Sequence, residues 1–105
     1  GMAQGIGGAL YEEFLYSDEG QPLSATFADY LWPTAKEVPD VETLVTEDAP
    51  SGTNPLGLKG AGEGGINASG AAIASAVGQA IGDPEAITRL PITPLRLHEI
   101  IKKLH

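Results

Sequence analysis

Phe14-Leu15-Tyr16-Ser17-Asp18-Glu19-Gly20-Gln21-Pro22-Leu23-Ser24-Ala25-Thr26-Phe27 decides the fold class. Two apolar, partly aromatic stretches, 14–16 and 23–27, flank residues 17–22. Ser, Asp, Gly and Pro make that middle stretch a turn by composition. The pattern predicts an antiparallel hairpin. Downstream, residues 41–47 alternate apolar and polar side chains imperfectly and read as a further strand. Together these segments predict a small, mainly antiparallel sheet within residues 14–47.

Helical signals lie on either side. Ile73, Val77 and Ile81 recur every four residues, and Ala72, Ala76 and Ala80 fill the same face. Ser69 is the expected N-cap, and Gly82 followed by Pro84 the expected stop. A last helix is predicted to start at Thr93-Pro94, a cap followed by proline at the first helical position. Its apolar stripe is Leu97, Ile100, Ile101 and Leu104, with Lys102 and Lys103 near the negative end of the macrodipole. Near the N-terminus Ile6, Leu10 and Glu13 are helically spaced, but Gly5, Gly7 and Gly8 disfavour a helix there. Glycines a helix does not want often mark close packing. The expected architecture is α+β, a small sheet with two or three packed helices, in one domain over residues 1–105.

Composition narrows the class. The chain has 105 residues, 42% hydrophobic and 19% charged, as a globular protein does. Its 14 glycines and 8 prolines require much loop. Without cysteine it has neither disulfides nor thiolate metal sites. No apolar run is long enough to cross a bilayer and no signal peptide is visible, so a cytoplasmic setting is expected. The net charge of −8 is uneven: residues 1–58 hold ten acids and one base, residues 59–105 four acids and five bases. That balance argues against nucleic acid as a partner.

Leu56-Gly57-Leu58-Lys59-Gly60-Ala61-Gly62-Glu63-Gly64-Gly65 carries the sharpest chemical signal. Glu63 stands among five glycines, within a long loop over residues 49–66. Glycine lets the backbone approach a ligand closely but costs entropy to order, so a lone acid held there reads either as a positioned group or as a solvated loop residue. Gly60, Gly62 and Gly65 formally match a dinucleotide fingerprint. No hydrophobic strand precedes them and no second βα unit follows, which rejects that reading. Glu12 and Glu13 are adjacent, diverge, and read as solvated. Nothing in the sequence fixes a distance between Asp29 and Glu63. His98 and His105 read as surface residues and make no metal site.

Four segments share a family resemblance. Ala3-Gln4-Gly5-Ile6-Gly7-Gly8-Ala9-Leu10-Tyr11-Glu12-Glu13 resembles the Gln-Gly helix of molybdenum hydroxylase large subunits, the superfamily of xanthine dehydrogenase, aldehyde oxidase and aerobic carbon monoxide dehydrogenase. Asp29-Tyr30-Leu31-Trp32-Pro33-Thr34-Ala35 resembles the aromatic-proline loop that follows in them. Asn54-Pro55-Leu56-Gly57-Leu58-Lys59-Gly60-Ala61-Gly62-Glu63 is similar to their glycine loop with its active-site glutamate. Leu90-Pro91-Ile92-Thr93-Pro94 resembles the lead into their last helix. The order is colinear over about residues 1–101.

The resemblance implies a molybdopterin-type molybdenum cofactor in the intact enzyme. It implies that Glu63 is a base beside the molybdenum and that Gln4 lies near the cofactor. Lys59, Gly60, Ala61 and Gly62 become cofactor-binding positions, Lys59 chiefly as a group that orders the loop. The departure is size, since intact large subunits are several times longer. The chain is therefore expected to bind no cofactor and to be inactive alone. Its expected partner is the remainder of a large subunit or a second copy of itself. The competing expectation is a non-catalytic interaction domain or truncated remnant that keeps the fold.

Overall fold

The computed structural model describes residues 1–104; the surface reading of His105 lies outside the described residues. Three helices follow in order: α1 (Met2–Leu10), α2 (Ser69–Ala80) and α3 (Pro94–Leu104).

The expected sheet is absent, and the α+β assignment is corrected to three helices joined by irregular chain. Among the described residues no strand forms, and residues 14–27 meet only at one isolated antiparallel bridge, Tyr16 with Pro22. The turn itself is present. Ser17 N donates to Gln21 O, Gly20 N to Ser17 O and Leu23 N to Leu15 O. A side chain then takes the place of the next rungs. Buried Ser24 accepts from Leu15 N at 2.8 Å through Oγ and donates to Glu13 O at 3.0 Å. Its hydroxyl thus occupies the donor and the acceptor that a growing ladder would use. Residues 41–47 are exposed throughout and lie against no second strand, so their imperfect alternation has nothing to pair with.

The α1 helix forms despite its glycines because two of them, Gly5 and Gly7, are contact points. A Cβ on Gly5 would collide with Ser69 Cβ and Oγ, and one on Gly7 would collide with the Glu12 carboxylate and crowd Pro33 Cδ at 2.9 Å. Only backbone fits there, so tertiary contact overrides a propensity cost of about 1 kcal/mol per glycine. Gly8, by contrast, faces open space.

The second helix begins as predicted in place but not in mechanism. Ala68 is its N-cap and no side chain caps it. Ser69 instead donates from Oγ back to Gly65 O at 2.9 Å. Gly82, at φ +81°, ends the helix in the left-handed region that glycine enters freely. For α3, Thr93 Oγ1 accepts from Arg96 N at 3.3 Å, which is an N-cap bond. Ile92 N reaches Ala9 O at 2.7 Å and ties the lead into α3 to the end of α1.

The core is thin. Its buried apolar side chains are Ile6, Ala9 and Ile92, while Phe27 is 82% and Leu44 86% exposed. The radius of gyration is 17.8 Å, against about 13 Å for a compact domain of this length. The accessible surface of 8254 Å² exceeds by roughly 2,700 Å² that of a folded monomer of this mass.

Candidate active site

The glycine loop starts from a built turn. Asn54 Nδ2 donates to Leu58 O at 3.0 Å, and Leu58 N donates to Asn54 Oδ1 at 2.9 Å. One amide side chain therefore closes residues 54–58. Gly57, at φ +66°, makes the reversal inside it. Beyond Leu58 this bonding stops. Among the described residues the backbone N–H groups of Lys59, Gly60, Ala61, Gly62 and Glu63 have no protein acceptor, and all five residues are exposed. A Cβ added at Gly60 or Gly62 would meet nothing within 4 Å.

Carbonyl bonding resumes at Ala61, which accepts from Gly64 N at 3.3 Å, and continues at Glu63. The Glu63 carbonyl accepts from Ile66 N and from Asn67 N, each at 3.1 Å. This turn leads into α2. The Glu63 side chain is exposed and makes no hydrogen bond or ion pair among the described residues; the same holds for Lys59.

The N-terminus of α1 lies directly on this turn. A Cβ on Gly1 would come to 3.0 Å from Gly65 Cα, and one on Gly65 to 3.1 Å from Met2 N. Gln4, exposed on α1, and Glu63 are thus carried by segments that touch. Lys59 to Gly62 run free of that contact. The site is open, with an apolar groove of about 410 Å³ beside it lined by Met2, Gly64, Gly65, Ala68, Ala72 and Ile73.

Two carboxylates expected to be solvated are not. Glu13 pairs with Arg96 and, at 3.2 Å, with Arg89. Arg96 also donates to Pro91 O at 2.9 Å. Glu12 accepts from Tyr30 Oη at 3.1 Å. Desolvation first, then this hydrogen bond and the Glu12 charge, raise the Tyr30 hydroxyl above its ordinary pKa. Asp29 accepts from Thr26 Oγ1 at 2.6 Å, and that bond is within its own loop. His98 is exposed. Among the described residues no group of three His, Cys, Asp or Glu could hold a metal ion, and no helix is long and apolar enough to cross a membrane.

Sequence reasoning missed Asn54, Ser24 and the supports at Glu12 and Glu13. Asn before proline in a glycine loop signals a side-chain-closed turn. The others bond to residues far along the chain, and nothing local announces them.

The chain is similar to several known proteins. Residues 1–39 match the molybdopterin cofactor-binding domain family. The chain is 62% identical over 91 residues to the 6-hydroxypseudooxynicotine dehydrogenase complex subunit gamma of Paenarthrobacter nicotinovorans, covering 87% of this chain and 12% of that protein. It is 36% identical to the aldehyde oxidoreductase of Megalodesulfovibrio gigas, covering 97% of this chain and 11% of the relative. The crystal structure of quinoline 2-oxidoreductase from Pseudomonas putida 86 superposes with a TM-score of 0.81 at 39% identity, over 97% of this chain and 13% of that one. The chain thus spans about an eighth of the length of the relatives it matches. Within those bounds it belongs to the molybdopterin-binding large-subunit family of the molybdenum hydroxylases.

Proposed function

We propose that this chain is the C-terminal segment of a molybdenum hydroxylase large subunit, an oxidoreductase that hydroxylates an aldehyde, an N-heterocycle or a similar small substrate, and that Glu63 is its catalytic base. One observation carries the reading: a carboxylate that spends nothing on its own chain ends a loop whose successive backbone N–H groups are equally unspent. Such groups are available to a ligand. The relatives named above supply the substrate classes, each for itself.

The donor set fits one side of a molybdopterin-type cofactor. Gln4 offers an amide that donates and accepts. The N–H groups of Gly60, Ala61 and Gly62 are free to donate to a polar, anionic group, and absent Cβ atoms at 60 and 62 leave it room. Lys59 adds a cation at the loop's start. When bound, the cofactor supplies a two-electron redox centre. Glu63 takes the proton of the attacking oxygen nucleophile onto its carboxylate. A general base works best in a dry site, so polypeptide from elsewhere must cover this loop.

That requirement fits the excess surface of roughly 2,700 Å², more than a standard protein–protein contact buries on one partner. The partner in this reading is the remainder of the large subunit. Alone, the chain offers one wall, binds no cofactor and turns nothing over. The test expresses the chain alone and together with the remaining large-subunit polypeptide. Molybdenum by elemental analysis and turnover with a dye acceptor are expected only in the pair. Molybdenum-loaded pairs whose turnover survives Glu63→Gln would leave an interaction domain as the better reading.

A further inference from the structure

We infer that Gly5 and Ser69 are positioning residues that fix Glu63 relative to Gln4. The inference rests on the proposed role of Glu63 as base. Four contacts build the linkage. Gly5 follows Gln4 in α1 and has no room for a Cβ against Ser69 Cβ and Oγ. Ser69, 7% exposed, opens α2 and donates from Oγ to Gly65 O at 2.9 Å. Gly65 itself lies against Gly1 and Met2 N. The Glu63 carbonyl is bonded to the N–H groups of Ile66 and Asn67.

The carboxylate is therefore free while its backbone is not. The height of the Glu63 turn above α1 is set where a hydrogen atom on Gly5 faces the Ser69 side chain. Any larger atom at position 5 must push α2 and the turn away from the helix that carries Gln4. A general base loses rate steeply with misplacement: a shift of about 1 Å can cost on the order of 10²-fold. Both residues are spent on this contact: Gly5 is a glycine inside a helix, and Ser69, which the sequence offers as an N-cap, caps nothing in the structure.

The experiment exchanges bulk across the contact in the molybdenum-loaded subunit that carries this chain. Gly5→Ala is expected to lower kcat at least tenfold with KM and molybdenum content held. Amide hydrogen exchange over residues 63–69 should quicken at least tenfold. Ser69→Gly combined with Gly5→Ala returns the missing space, and should restore kcat and exchange protection to within about threefold of the parent. Ser69→Ala keeps the Cβ and removes the hydroxyl that donates to Gly65 O and lies 4.0 Å from Met2 Sδ. It should quicken exchange over the same residues and covers the case in which Gly5→Ala fails to fold. Unchanged exchange in Gly5→Ala and Ser69→Ala, or a double variant no better than Gly5→Ala, overturns the inference. Full turnover in Glu63→Gln would instead remove the base, while the exchange data would still decide the linkage.

Discussion

Glu12–Glu13 and Glu63 are carboxylates with opposite fates. Glu13 carries two arginines, one from the segment before α3 and one from α3 itself, and its carbonyl accepts the Ser24 hydroxyl. Glu12 holds the Tyr30 hydroxyl of the aromatic loop. Both are half-buried, and both bind residues distant in sequence. Glu63 is exposed, and only its backbone is engaged. An acid whose oxygens are used inside the chain organises that chain. An acid whose backbone is fixed and whose oxygens are unused is presented to something else. Position beside glycines distinguishes the two only because glycine leaves space around the second.

The comparison breaks most visibly at Glu63. In the molybdenum-loaded subunit, Glu63→Gln is expected to cut turnover by about 10²–10⁴, the usual worth of a positioned proton-transfer group. Molybdenum content should be unchanged, and stability should move by no more than about 0.5 kcal/mol, as for surface changes generally. A larger stability loss with turnover kept would make Glu63 another structural acid.

Glu13→Ala should show the reverse. It strands Arg96, which is only 25% exposed, beside a site that has lost its anion. A loss of about 1.5–3 kcal/mol is expected, the range for hydrogen bonds to charged groups. Most of it belongs to Arg96, because Arg89 is 72% exposed and screened by solvent. Denaturant unfolding of Glu13→Ala, Arg89→Ala and Arg96→Ala ranks the three; equal effects from the two arginines would contradict the assignment. Turnover per bound molybdenum should persist in Glu13→Ala.

Ser24→Ala comes next. It removes a hydroxyl that both accepts from Leu15 N and donates to Glu13 O. A loss of about 1–2 kcal/mol is expected, because two backbone groups lose a part-buried partner. Unfolding midpoints check it. Ser24→Thr keeps the hydroxyl and should recover part of the loss.

What was legible in the sequence follows the range of the forces involved. The α2 and α3 helices were legible because a four-residue apolar repeat, a glycine stop and a Thr-Pro start are local signals. The turn at residues 17–22 was legible for the same reason. The sheet was misread because strand composition says nothing about whether a partner strand exists, and here Ser24 terminates the pairing. Likewise α1 was obscured by its glycines: Gly5 makes room for Ser69 and Gly7 for Glu12 and Pro33, and Ser69 and Pro33 lie far along the chain. The loop around Glu63 stood out because a glycine run is visible without contacts. Its closure by Asn54 and its seat on α1 were not. The many exposed apolar side chains, Leu56 and Leu58 among them, would read as core in any sequence, and here they lie outside it.

The smallest effect concerns the Glu12 half of the pair. The Tyr30 hydroxyl is raised above its ordinary value, first by desolvation and then by the hydrogen bond and charge of Glu12. A free tyrosine titrates near pH 10. The folded chain therefore keeps this proton at a pH where the unfolded chain has released it. The resulting stabilisation is fully present below about pH 10 and is lost as pH rises through the raised folded value. Unfolding midpoints followed up the alkaline limb should fall faster in the parent than in Tyr30→Phe, which has no proton to lose there. Glu12→Gln should bring the Tyr30 titration down toward the ordinary range without reaching it, because desolvation remains. The difference in tyrosinate absorbance between each protein and its Tyr30→Phe counterpart isolates this residue from Tyr11 and Tyr16. If parent and Tyr30→Phe decline in parallel through the alkaline range, Glu12 is no more engaged than Glu63, and the contrast between the two acidic segments rests on Glu13 alone.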